Sequence, residues 1–246
     1  MKNKSKFLST ATAAALTAAG LLVVPLAPAS AAPGQSQGQG TAWGKYLNVT
    51  SRAVANPAHR VALDSAAVWG PLRSSDDSPA SATASAQANC SGCSAQATTL
   101  QVLSSAQAAN IWANNTASAY TTGDWASSAA VSVQVVTATR SNVIMANNRA
   151  LSVNEGCTGC ASTTAALQYI IVGGKAEALS DAARSIVRQI EQQLGFTFQS
   201  DSWRPKSERS ARARASANDA AERARAVIAA DTGASVESRV DVDTED

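Results

Sequence analysis

The sequence predicts an α+β protein: a mainly-β repeat domain of three hairpin-like units of about 33 residues, followed by an amphipathic helix and a charged tail. Three observations predict it. The motif Cys-x-Gly-Cys occurs twice, at Cys90 to Cys93 and at Cys157 to Cys160. Each copy is followed at the same distance by Leu-Gln and an apolar run, Leu100 to Leu103 (LQVL) and Leu167 to Ile170 (LQYI). A shorter period, half as long, lies inside that one. Ile111 to Asn115 (IWANN) returns as Ile144 to Asn148 (IMANN), and Gln101, Gln134 and Gln168 follow one another at the same interval to within a residue. Periods of this size mark repeat architectures.

Residues 1–31 read as a secretory signal peptide. Lys2, Lys4 and Lys6 supply the positive start, an apolar stretch runs from Ala11 to Leu26, and Ala29-Ser30-Ala31 fits the small-residue cleavage pattern. Pro25, Pro28 and the small-residue site argue against a membrane anchor. Cleavage removes three of the 20 basic residues and none of the 18 acidic ones, so the mature chain is slightly acidic and a basic nucleic-acid surface is not expected. No other stretch is apolar enough to span a bilayer, and the mature chain is not expected to cross a membrane.

Residues 32–80 read as a flexible N-terminal region and cap. Pro33 to Gly40 is low-complexity, Ser74 to Pro79 reads as a loop, and Trp43, Tyr46, Leu47, Val61, Leu63, Val68 and Trp69 are candidates to pack on the repeats.

Residues 81–174 form the repeat domain. Between Ser81 and Gly173 only Asp124, Arg140, Arg149 and Glu155 are charged. The units fall near 78–108, 110–143 and 144–173, each with two strands around a turn. Ala82 to Gln87, Val131 to Val135 and Leu151 to Asn154 alternate with period two. Cys-x-Gly-Cys suits a β-turn, with Gly92 and Gly159 at the third position, where a type II turn needs positive φ. Such a turn brings its end Cα atoms within about 7 Å, which overlaps the disulfide range of roughly 4.4–6.8 Å. Local pairing of Cys90 with Cys93 and of Cys157 with Cys160 is therefore feasible, although cross-unit pairing stays open. The middle unit has no cysteines, and Asp124 and Ser127 stand near the corresponding places. A helix after each cysteine pair is the rival reading, which the β-branched middle unit opposes.

Residues 175–203 carry an amphipathic helix: Leu179, Ala182, Ala183, Ile186, Val187, Ile190 and Leu194 follow helical spacing, with Gly195 as the stop. Residues 204–246 read as a solvated charged helix followed by a disordered acidic tail, with opposite charge to draw the two together.

The four cysteines admit three chemistries. In an exported chain an even number of cysteines reads first as disulfides. Two C-x2-C pairs also match a four-thiolate zinc site, and C-x-x-C is the thiol–disulfide exchange motif. The redox reading lacks an aromatic residue before the first cysteine and a βαβ setting. Hydrolysis is poorly served, with His59 the sole histidine and Asp124 and Glu155 the only acids within the repeats. No cofactor motif is present. Trp112, Tyr120 and Trp125 are the candidate binding surface, and the repeated glutamines fit either a buried amide ladder or an outward row.

The stretch Asn154 to Cys160 (NEGCTGC), continued by Gln168 to Ile171 (QYII), resembles a repeat of exported actinobacterial proteins of unknown function. Similar segments occur in the extracellular C-terminal regions of proteins labelled peptide zinc metalloproteases. A looser copy runs from Gln87 to Leu103. The protease label does not carry over, because the chain has no His-Glu-x-x-His motif. The resemblance implies an exported module. The expectation is a secreted, non-enzymatic structural, adhesive or partner-binding protein of the cell envelope, its partner a wall polymer or another envelope protein. A thiol–disulfide oxidoreductase or thiol sensor is the alternative, and a four-cysteine zinc module the third.

Overall fold

The computed structural model describes residues 37–41, 47–72, 78–106, 108–139, 141–173 and 178–245, all within the unit Ala32–Asp246. The expected signal peptide, Trp43, Tyr46 and the start of the 74–79 loop lie outside them.

The repeat domain is a β-solenoid. The paired strands are β2 (Val49–Ala55) with β3 (Val61–Pro71), β4 (Ser78–Ala88) with β5 (Ser94–Ser105), β6 (Ala108–Thr121) with β7 (Ser127–Ala138), and β8 (Ser141–Asn154) with β9 (Ala161–Val172). The two strands of a pair do not bond to each other. Each joins its counterpart in the next coil, in parallel, so two sheets face one another. The four-stranded sheet runs β2-β4-β6-β8. The six-stranded sheet runs β1-β3-β5-β7-β9-β10, with β1 (Gln37–Thr41) at one edge and β10 (Val236–Glu245) at the other. Register sets Ser94 beside Ser127 and Ser127 beside Ala161, so the second step is longer than the first by a single residue. The extra residue falls in the Glu155 to Cys160 turn, where Gly156 adds a left-handed φ of +61°.

Composition explains which face each strand turns where. β7 is buried on both faces along almost its whole length, because helices cover one face and the opposing sheet covers the other. β2 alternates buried and exposed positions, because the outer face of the four-stranded sheet meets solvent. Between the sheets, alanines such as Ala86, Ala119 and Ala166 fill the end near the cysteine turns. Leu47, Leu103, Ile111 and Val136 fill the other end. The interior is therefore filled by small side chains at the cysteine end and by larger ones at the other.

Several of the buried polar residues pair along the solenoid axis. Gln168 Nε2 donates to Gln134 Oε1 at 2.7 Å and Gln134 Nε2 to Gln101 Oε1 at 2.5 Å, with all three side chains fully buried. Asn115 Nδ2 donates to Asn148 Oδ1 at 2.7 Å, and the Thr99 and Ser132 hydroxyls meet at 2.7 Å. A polar group buried without a partner costs about 1–3 kcal/mol, and stacking like on like at each step of the repeat supplies the partners.

The helix α1 (Asp181–Ser200) lies on the outer face of the six-stranded sheet. Ser180 caps it by accepting from Ala183 N at 3.2 Å. The stop expected at Gly195 does not occur, and the helix runs on to Ser200. Gly195 instead lets the helix come close to the sheet: a Cβ there would lie 2.8 Å from Gln96 Nε2 and 2.9 Å from Thr98 Cγ2. Of the expected apolar stripe, Ala183, Val187, Ile190 and Leu194 are buried, whereas Ala182 and Ile186 face solvent. The helix α2 (Lys206–Thr232) turns an alanine face, Ala213, Ala217, Ala220, Ala221 and Ala224, inward, so it is solvated on one side only. Asp201 joins the two helices, accepting from Arg204 Nε at 2.8 Å and Arg212 Nε at 3.1 Å.

Three further expectations are corrected. Gln37–Thr41, read as flexible linker, pairs in parallel with β3. The 32–80 region also contributes a whole coil, β2–β3, whose turn lacks cysteines and whose kinship is hidden by the absence of a Cys-x-Gly-Cys signature. The acidic tail, expected to be disordered, forms β10, antiparallel to β9 from Val236↔Ile171 to Glu245↔Ser162. Its alternating Asp241 and Asp243 also reach the adjacent edge of β8: Ala150 N donates to Asp241 Oδ2 and Ser152 N to Asp243 Oδ2, both at 2.8 Å. The strand caps two sheets at once.

Candidate functional site at the stacked turns

The turns linking each strand pair stack along one corner of the solenoid. In the second coil Cys93 N donates to Cys90 O at 3.0 Å, closing a β-turn. Cys90 is bonded to Cys93 and Cys157 to Cys160, with Cα separations of 5.3 and 6.0 Å. The inner member of each pair is buried, Cys93 at 1 % and Cys160 at 3 % exposure. The third coil makes the same turn without cysteines, as Ala126 N donates to Gly123 O at 3.1 Å. The positions matching the cysteines are thus Gly123 and Ala126, each just before the Asp124 and Ser127 read from the sequence. Gly123 fits because the turns nest: a Cβ there would collide with the backbone of Cys90.

The pairs stand two coils apart, about 10 Å at the usual strand spacing. That is too far for four thiolates to share one tetrahedral ion. Among the described residues no group of three or more His, Cys, Asp and Glu is placed to hold a metal.

One position links the turns. Gly92 has φ +66° and Gly159 φ +63°; the residue between them in register is Trp125, at φ +57°. Trp125 N donates to Thr158 O at 2.9 Å, and its ring lies against Gly159, where a Cβ would come within 2.6 Å of it. The ring is otherwise open, at 74 % exposure. Asp124 holds the corner from both sides: its carbonyl accepts from Gly92 N at 2.8 Å and its carboxylate from Thr158 N at 2.7 Å. In the first coil, Arg60 Nη2 donates to Ser91 O at 2.7 Å. His59, which looked isolated in the sequence, belongs to this first turn.

Tyr120, at the end of β6 next to the corner, donates its hydroxyl to Glu155 Oε2. That hydrogen bond, with burial and the carboxylate's charge behind it, holds the phenol above its usual range. Trp112 is on the same outer face of β6 but about 26 Å from Tyr120 along the strand. The three candidate residues therefore do not form one patch: Tyr120 and Trp125 share the corner, and Trp112 stands at the far end beside Met145 and Pro79. The glutamine ladder faces inward and contributes nothing to the surface. Arg60 and the left-handed state of Trp125 escaped the sequence reading. The signal was available, because Trp125 stands one repeat after Gly92 and one repeat before Gly159.

Fold and corner together define a β-solenoid with disulfide-fastened turns. Comparison with family models, curated proteins and solved structures finds no match for this chain.

Proposed function

We propose that this is an exported, non-enzymatic solenoid of the cell envelope, with a structural, adhesive or partner-binding role, in which the two Cys-x-Gly-Cys bonds are staples. The observation that carries this reading is the cysteine-free third turn. It adopts the same hydrogen-bonded geometry with Gly123 and Ala126, so the cysteines fasten a turn that the fold makes anyway. Duplication of the pair on a repeat whose middle turn does without it favours a fastening role over that of a nucleophile. The groups that hydrolysis would need are engaged elsewhere, Asp124 with Thr158 and Glu155 with Tyr120. Among the described residues no helix is long and apolar enough to cross a membrane. The leader-like sequence of residues 1–31 supports export.

Expression of the full chain in a Gram-positive host, followed by fractionation and N-terminal sequencing, tests the reading. The expected product begins at Ala32 and is found in the wall or medium. Cytoplasmic retention of an uncleaved chain contradicts it.

A further inference from the structure

A tryptophan in the left-handed region is costly, because its Cβ crowds the backbone where glycine does not. The neighbouring coils avoid that cost with Gly92 and Gly159, while the middle coil accepts it at Trp125. Packing does not explain the choice. The ring is 74 % exposed and rests on a residue that has no side chain. The backbone beneath it is nevertheless pinned, since Asp124 and Trp125 are bonded to the coils on both sides. Strain held in a pinned backbone with little internal return, beneath an outward-facing ring, points to a contact made with something else.

The surroundings define the chemistry of that contact. The corner around the ring presents Asn89, Ser91, Asp124, Glu155 and Thr158 to solvent. Tyr120 and Val153 stand side by side at its edge, and the remaining exposed groups are polar and hydrogen-bonding. Asp124 and Glu155 outweigh Arg60, which is already bonded to Ser91 O, so the corner does not suit a phosphate backbone. A flat aromatic face among hydroxyl, amide and carboxylate groups suits a sugar ring, whose C–H face stacks on the indole while its hydroxyls bond to the neighbours. We propose that Trp125 is the stacking anchor of a site for a glycan strand, which would lie along the stacked turns. The inference rests on the envelope reading above and narrows its partner to a polysaccharide.

The test uses mature protein, pelleted with peptidoglycan sacculi stripped of protein and anionic polymer, and titrated with a soluble β-1,4 N-acetylglucosamine oligosaccharide. Saturable binding is expected for the native chain. Trp125→Gly is expected to weaken it at least tenfold without lowering the melting temperature, because glycine relieves the strained φ. Trp112→Ala is expected to leave binding intact. Absence of binding by the native chain, full binding by Trp125→Gly, or equal loss in Trp112→Ala would overturn the proposal. So would a lower melting temperature for Trp125→Gly, which would make the ring a structural group. A correctly exported chain that binds no glycan defeats this inference alone, whereas cytoplasmic retention defeats the export reading.

Discussion

Glu191 sits on the inner face of α1, at 1 % exposure, with the Thr98 hydroxyl beside its carboxylate. Burial pushes its carboxyl up to about 8, with the Thr98 hydroxyl and the Arg188 charge nearby offsetting only part of the effect. Below pH 4.5, its ordinary value, folded and unfolded chains both hold the proton, and Glu191 takes nothing from stability. As pH rises from there, the unfolded chain ionises first and stability falls, with the loss complete above about 8. Melting curves between pH 5 and pH 9 are expected to show that decline, and Glu191→Gln to remove it. A native chain whose melting temperature is flat over this range would contradict the assignment. Glu191 was hidden in the sequence, where a single acid inside a helical stripe reads as a surface residue. The glutamine ladder was half legible: the spacing of Gln101, Gln134 and Gln168 marks the repeat, but a period does not say which face points inward. The Leu-Gln-Val alternation on a sheet buried on both sides settles that only once α1 is in place.

Among the elements, β10 has the clearest consequence. Exposed strand edges invite pairing with other chains, and β10 closes β9 by backbone bonds and β8 by its aspartates. Deleting residues 236–246 is expected to produce soluble oligomers or aggregates by light scattering. Asp241→Ala with Asp243→Ala is expected to cost about 1–3 kcal/mol for each amide left unpaired, read by urea unfolding. A truncated chain that stays monomeric and equally stable would contradict the capping role. The turns are a second element-scale case. Closing so short a loop stabilises by about 2 kcal/mol, so Cys90→Ala with Cys93→Ala, which puts no hydroxyl into the buried Cys93 site, is expected to lower urea stability by about that much and to leave the fold intact. Loss of folding would show that the cysteines do more than fasten. The β10 strand was missed because Val-Asp-Val-Asp alternation was outweighed by its net charge. The helix stop at Gly195 was misplaced because glycine serves close approach as well as termination.

At the scale of the whole molecule, the period was the most legible feature, since the strands of successive coils return at the same interval to within a residue. The solenoid topology was less legible, because two alternating strands around a turn look alike whether they pair with each other or with the next coil. The β2–β3 coil was invisible for a related reason: its turn is built on Asn56, whose Oδ1 accepts from Ala58 N and His59 N, both at 3.0 Å, and not on cysteines. The central claim is that the cysteines staple the corner of an exported solenoid. Intact-mass measurement of the secreted protein, alkylated before and after mild reduction, addresses it most directly. The account predicts a chain starting at Ala32, four hydrogens lighter than its fully reduced mass, that takes up no alkylating agent until it is denatured and strongly reduced. Ready opening of one pair in the native protein, or four thiols protected by a bound metal, would contradict it.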